Sequence, residues 1–231
     1  MELKSIKRKR LFKKVNYHKY LIDLIYAFED VDVKHQSWSY DFLNDDNNIQ
    51  NNERPFCYEL YHQLRLKTKE EKNIILHGEI NKNGIKQRKK FIVRLEKMDR
   101  WSEIEERLPN SFIPDLVLHE GQNINHPDSH HLYIEVKSKP SVLDNGTESY
   151  LKDLLKCLFA IQAMGYSYGV FICLNINKVT QFKNKINEIL RYNHGLFATF
   201  SRGLKKLVIL YRSKEKDGEI EFYQIENNNN Q

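Results

Sequence analysis

The segment Ile113 to Glu120, IPDLVLHE, followed after a polar connection by Leu132 to Lys139, LYIEVKSK, constrains this chain more than any other part of it. Successive side chains of a strand point to opposite faces, so Leu132, Ile134 and Val136 are expected toward a core. Tyr133, Glu135 and Lys137 then share the other face. A neighbouring strand opened by Asp115 brings that carboxylate beside Glu135. Two carboxylates and an ammonium emerging together make the ligand set expected of a metal-dependent phosphodiesterase.

The chemistry follows from the donor types. Hard divalent cations such as Mg²⁺, or Mn²⁺ in its place, take carboxylate oxygens together with substrate phosphate oxygens and keep several waters. Asp115 and Glu135 are the expected ligands. Lys137 is expected to orient the attacking water and favour its deprotonated form, while the cation offsets charge building on phosphorus. A plain surface ion pair between Glu135 and Lys137 is the competing reading, since a Glu-x-Lys triplet alone is common.

On Pro114-Asp115 and on Glu135-Val136-Lys137 the chain resembles the PD-(D/E)xK nuclease superfamily. A second Pro-Asp pair, Pro127-Asp128, lies in the polar run NHPDSHH and opens no apolar segment. The resemblance implies an α/β fold with a restriction-endonuclease-like αβββαβ core, a mixed central sheet flanked by helices, and an N-terminal helical extension. It also implies hydrolysis of DNA phosphodiester bonds, from an end or internally, in a setting such as restriction, anti-phage defence or mobile-element processing.

An acidic residue on a helix ahead of the sheet belongs to the same implied pattern. ERPFCYELYHQLR, residues 53 to 65, carries Phe56, Leu60 and Leu64 as an apolar stripe. Glu59 sits beside that stripe, either as a further metal ligand or as an ordinary exposed glutamate. Glu53 reads as a helix-start residue that complements the positive end of the dipole. In YLKDLLKCLFAIQAMGY, Leu151, Leu154, Leu155 and Leu158 form an inward face that also carries Gln162. Gln162 and Tyr166, spaced Q-x-x-x-Y, resemble the helical motif of the RecB-like branch, where such residues lie beside the metal and contact substrate. A helix-end amide satisfied by local backbone is the alternative for Gln162.

Charge points to the same partner. The net charge of +6 is unevenly spread. One basic block runs from Lys4 to Lys14. A second, with Lys86, Arg88, Lys89 and Lys90 at its centre, falls in Ile74 to Leu95, which reads as a hairpin around Asn83-Gly84. Its basic strand is expected to line DNA, through a salt-sensitive and sequence-independent attraction to phosphates. A solvated face is the plain reading of both blocks.

His126, His130 and His131 with Asp128 offer a transition-metal reading against a solvated loop, and His119 lies on the Asp115 face. Cys57, Cys157 and Cys173 sit in apolar periodic segments and read as reduced core residues of a cytoplasmic protein. Three units are expected: a basic extension over residues 1–52, a nuclease domain over 53–225 and a disordered tail over 226–231. A homodimer would suit double-strand cleavage, a partner protein could supply targeting, and no membrane association is expected. The alternative function is a nucleic-acid-binding subunit that keeps the fold and cuts weakly or only with a partner.

Overall fold

Tyr168 to Leu174 is apolar without alternation, which requires cover on both faces, and it becomes the middle of a seven-stranded sheet. The computed structural model of the protein describes residues 1–5, 19–36, 53–79, 101–108, 113–121, 129–137, 147–176, 179–213 and 220–226. Along the chain the strands are β1 (Glu2–Ser5), β2 (Ile74–Gly78), β3 (Leu116–Glu120), β4 (His130–Lys137), β5 (Tyr168–Ile176), β6 (Leu207–Ser213) and β7 (Ile220–Glu226). The helices are α1 (Lys19–Asp30), α2 (Glu53–Thr68), α3 (Trp101–Arg107), α4 (Thr147–Met164), α5 (Val179–Tyr192), α6 (His194–Thr199) and α7 (Ser201–Leu204), with a 3-10 turn at Val33–Gln36.

The sheet runs β1-β7-β6-β5-β4-β3-β2. β4, β5 and β6 are mutually parallel and every other pair is antiparallel. Parallel neighbours need long crossovers, supplied here by α4 and by α5 to α7. Two cores result. Val170, Ile172 and Leu174 pack with α1 and α2 on one face, and Phe171 and Cys173 pack with α4 and α5 on the other. The chain is therefore an α/β protein with a mixed sheet between helical layers.

Two expectations change. Alternation alone gives β4 one buried face, but Tyr133 is buried as completely as Ile134 because α4 lies across it. The N-terminal region is not an extension ending at residue 52. Instead β1 adds to the sheet edge beside β7, and α1 buries Tyr20, Leu21, Leu24, Ile25, Ala27 and Phe28 in the same core as α2. Arg212 of β6 fastens that helix: Nη1 donates to Val31 O at 2.7 Å and Nη2 to Phe28 O at 2.5 Å, where a cation complements the carbonyl end of α1. The expected basic hairpin is described only as far as β2, so Asn83-Gly84 and Lys86, Arg88, Lys89 and Lys90 lie outside the described residues. The same holds for His126, Asp128 and the tail beyond Glu226. Among the described residues no helix is long and apolar enough to cross a membrane.

Gly169 governs how closely α4 approaches the sheet. A Cβ at this position would meet Cys157 Cβ and Cys157 O, both at 2.9 Å. Relief requires moving α4 backbone, and α4 carries charged residues described below. Gly169→Ala is therefore expected to cost about 1–3 kcal/mol of overpacking, seen as a lower urea midpoint. An unchanged midpoint would show that α4 yields freely.

Candidate active site

Leu116 pairs with Ile134 across β3 and β4. Continuing that register one residue ahead of β3 brings Asp115 to the level of Glu135, and directly opposed residues share a sheet face with Cβ atoms about 5 Å apart. Asp115 Oδ2 accepts the Val136 N–H at 2.6 Å, which pins the carboxylate to β4. Glu135 is only 3 % exposed. Its Oε2 meets Lys156 Nζ at 2.5 Å, while Oε1 is buried without a hydrogen-bond partner.

The remaining charges come from α4. Lys156 Nζ also lies 2.9 Å from Asp153 Oδ1, and Lys137 Nζ lies 3.1 Å from Asp153 Oδ2. Positive and negative groups therefore alternate as Lys137, Asp153, Lys156 and Glu135, with Asp115 adjoining. The helix can do this because Asp153 and Lys156 are three apart and face the same way. Leu151, Leu154, Leu155 and Leu158 anchor it in the core. α4 runs antiparallel to β4: Asp153 sits by Lys137, and at the other end Met164 O lies 2.7 Å from His130 Nδ1.

Burial dominates the electrostatics. It raises the Asp115 carboxyl to about 6 despite the opposing Val136 N–H bond, with Glu53 adding to the rise. Burial also raises Glu135, reinforced by Asp153 and Asp115 and opposed by Lys156. For Lys156 burial acts downward, but Glu135 and Asp153 outweigh it and hold the ammonium charged. The same balance, with Asp153 as the chief counter-charge, raises Lys137.

A cavity of about 420 Å³ is lined by Asp115 together with Glu53, Arg54, Tyr58 and Tyr61 of α2 and Glu79. Glu79 follows β2 with φ of 48°, a left-handed conformation that costs a non-glycine residue energy and that clusters at functional sites. Its N–H donates to Asp115 O at 3.2 Å, and its Oε1 lies 3.5 Å from Arg54 Nε.

Not every expected residue arrives here. Asp115, Glu135 and Lys137 gather in one cluster. Glu59 does not: it is two residues past the cavity-lining Cys57, hence on another face of α2, and accepts a hydrogen bond from Gln63 Nε2 at 2.7 Å. Glu53, expected only to start the helix, faces Asp115 instead. Gln162 is nine residues beyond Asp153, about 14 Å along α4. Its Nε2 donates to Thr199 O at 3.4 Å and its Oε1 is buried without a hydrogen-bond partner. Tyr166 stacks on His130 at 5.0 Å, at the end of β4 away from Lys137. The Q-x-x-x-Y spacing is thus real but belongs to the opposite end of the helix. His119 also lies away from the cluster, against Gly121 O at 2.7 Å and His77 Nδ1 at 3.3 Å.

Asp153 and Lys156 escape a reading of the sequence because the leucines around them mark the helix as core. The usable signal is D-x-x-K inside an otherwise apolar helix, since buried charges need partners. Among the described residues no group of three or more His, Cys, Asp or Glu side chains is placed to hold a metal ion. A cage built wholly of protein ligands is therefore not the pattern here. Mg²⁺ requires less, one or two carboxylates with water and phosphate completing the shell. Asp115, opposed to Glu135 with its unpartnered Oε1, fits that demand.

Because the folded Asp115 pKa lies above its ordinary value of 3.8, its contribution to stability is fully present below about pH 4 and lost as pH rises through about 6. Asp115→Asn keeps an oxygen for the Val136 N–H and removes the buried charge. It is expected to stabilise the protein by about 2–3 kcal/mol at pH 8 and by little at pH 4, measured as urea midpoints at both values. A substitution equally costly at both would contradict the assignment.

Comparison of the chain with family models, with curated proteins and with solved structures returns no match.

Proposed function

We propose that the protein is a Mg²⁺- or Mn²⁺-dependent nuclease that hydrolyses DNA phosphodiester bonds at Asp115, Glu135 and Lys137. The observation that carries the reading is a half-buried carboxylate, Asp115, that lines a cavity and is tied to β4 next to the buried Glu135, one of whose oxygens has no hydrogen-bond partner. The order α2-β2-α3-β3-β4-α4-β5, with β4 parallel to β5, supports it as well, because apart from the short inserted α3 it follows the αβββαβ arrangement that the resemblance to the PD-(D/E)xK superfamily implies.

Asp115 and Glu135 would hold the cation, Asp115 oriented by the Val136 N–H and Glu135 by Lys156. The cation, when bound, supplies a Lewis acid and a lowered water pKa. Lys137 is kept protonated by Asp153, so it serves as a fixed positive charge that orients the attacking water and offsets charge on the phosphate oxygens, not as a proton acceptor. Lys156 balances Glu135 and Asp153, which would otherwise repel each other in a buried site. Glu53 adds a carboxylate to the cavity that Asp115 lines. The basic block with Lys86, Arg88, Lys89 and Lys90 would track the DNA backbone.

A second reading is favoured by one specific feature. Glu135 Oε2 and both lysine ammoniums are already engaged in ion pairs, as suits a nucleic-acid-binding subunit that cuts only when a partner rearranges the network. Incubation of purified protein with plasmid DNA and Mg²⁺ separates the two. Cleavage abolished by EDTA, and lowered about a hundredfold or more by Glu135→Gln while DNA binding persists, is the expected result; a Glu135→Gln protein that cuts at the parental rate sinks the assignment. Binding with no cleavage under any condition selects the subunit.

Lys89→Ala with Lys90→Ala is expected to weaken DNA binding and to reduce the slope of log affinity against log salt by about one for each phosphate that is no longer neutralised. An unchanged slope removes this block from the substrate surface.

A further inference from the structure

We propose that the cavity beside Asp115 is a subsite for an unpaired nucleobase, with the rings of Tyr58 and Tyr61 as its stacking surface. This rests on the nuclease reading and adds a substrate class to it: DNA that is single-stranded where it is cut.

Tyr58 is 68 % exposed and Tyr61 36 % exposed, and both line the cavity that Asp115 also lines. Large rings left in water at the mouth of a concave site mark recognition more often than packing. The two are three residues apart on α2, and Arg54 lies four residues before Tyr58, so all three occupy one face of the helix. A guanidinium followed by two aromatic rings is the composition of a single-strand platform: each base offers a π-face to stack on, and the cation meets the backbone.

The lining also carries acceptors. Carboxylates at Glu53 and at Glu79, whose exposed ion pair with Arg54 spans 3.5 Å and must share that partner with a ligand, can accept from the exocyclic amino groups that most base edges present. Simpler ligands use only part of this set. A small cation would match the carboxylates but face Arg54; a free phosphate would match Arg54 and leave the rings idle. A nucleotide engages all of it while placing its phosphate toward Asp115. In a duplex the bases are already stacked and paired, so the rings can meet one only at an end or after extrusion.

The test is fluorescence anisotropy of the full chain with a labelled single strand of mixed sequence and with a blunt hairpin duplex, with Ca²⁺ in place of Mg²⁺. The expected result is tighter binding of the single strand, weakened about tenfold or more by Tyr58→Ala with Tyr61→Ala and preserved by Tyr58→Phe with Tyr61→Phe, while duplex affinity stays the same. The proposal is overturned by parental single-strand affinity in the double alanine variant, by equal weakening for strand and duplex, or by equal parental affinity for both. A parental protein that binds neither overturns this subsite and the nuclease reading together. Cleavage by a protein indifferent to the tyrosine substitutions removes the subsite alone; ring-dependent strand binding by a protein that never cuts removes the nuclease reading alone.

Discussion

The charge network between β4 and α4 is the constraint on which the rest depends. Glu135 and Asp153 are buried in a layer otherwise filled by leucine, phenylalanine and tyrosine, and Lys156 and Lys137 lie at hydrogen-bonding distances from them as the partners that buried polar groups require. The network fixes the axial position of α4 against β4, as Gly169 fixes its depth. Those two settings place an amine beside Glu135 and beside Asp153.

Such an arrangement is a poor choice for stability. Replacing buried ion pairs by well-packed apolar residues is often neutral or favourable, and an apolar α4 would have filled the same space. The upward shifts at Asp115 and Glu135 have the same sense: the fold holds these carboxylates where ionisation is resisted. Sites that bind or transform a charged ligand commonly carry this kind of local cost, and the ligand's own charge relieves it. The left-handed Glu79, tied to Asp115 O, is a second local cost at the same place. Strain and resisted charge concentrated around Asp115, in an otherwise well-packed sheet, are the physical reason to look for function there.

Much of the architecture was legible from periodicity. The helices of residues 19–30, 53–68 and 179–192 carry apolar stripes at helical spacing, and β5 is an unbroken apolar run that could only be covered on both faces. The opposition of Asp115 and Glu135 also follows from strand alternation once their strands are neighbours. Other features had no local signature. β1 is a short polar segment whose place in the sheet depends on β7, nearly the whole chain away. Arg212 looks like one more surface cation until the carbonyl end of α1 arrives to meet it.

By itself the sequence determined most of the longer helices and the central strands, that an unbroken apolar strand would need cover on both sides, and that Glu135 and Lys137 share one face of their strand, because each of these follows from side-chain period and local backbone preference. Only the tertiary structure decided that Glu53 and not Glu59 faces Asp115, that Asp153 and Lys156 complete the charge network, and that Gln162 and Tyr166 lie at the far end of α4. Those outcomes depend on the rotation and axial position of a helix over a sheet. Packing between distant residues sets both, and the pattern within the helix specifies neither.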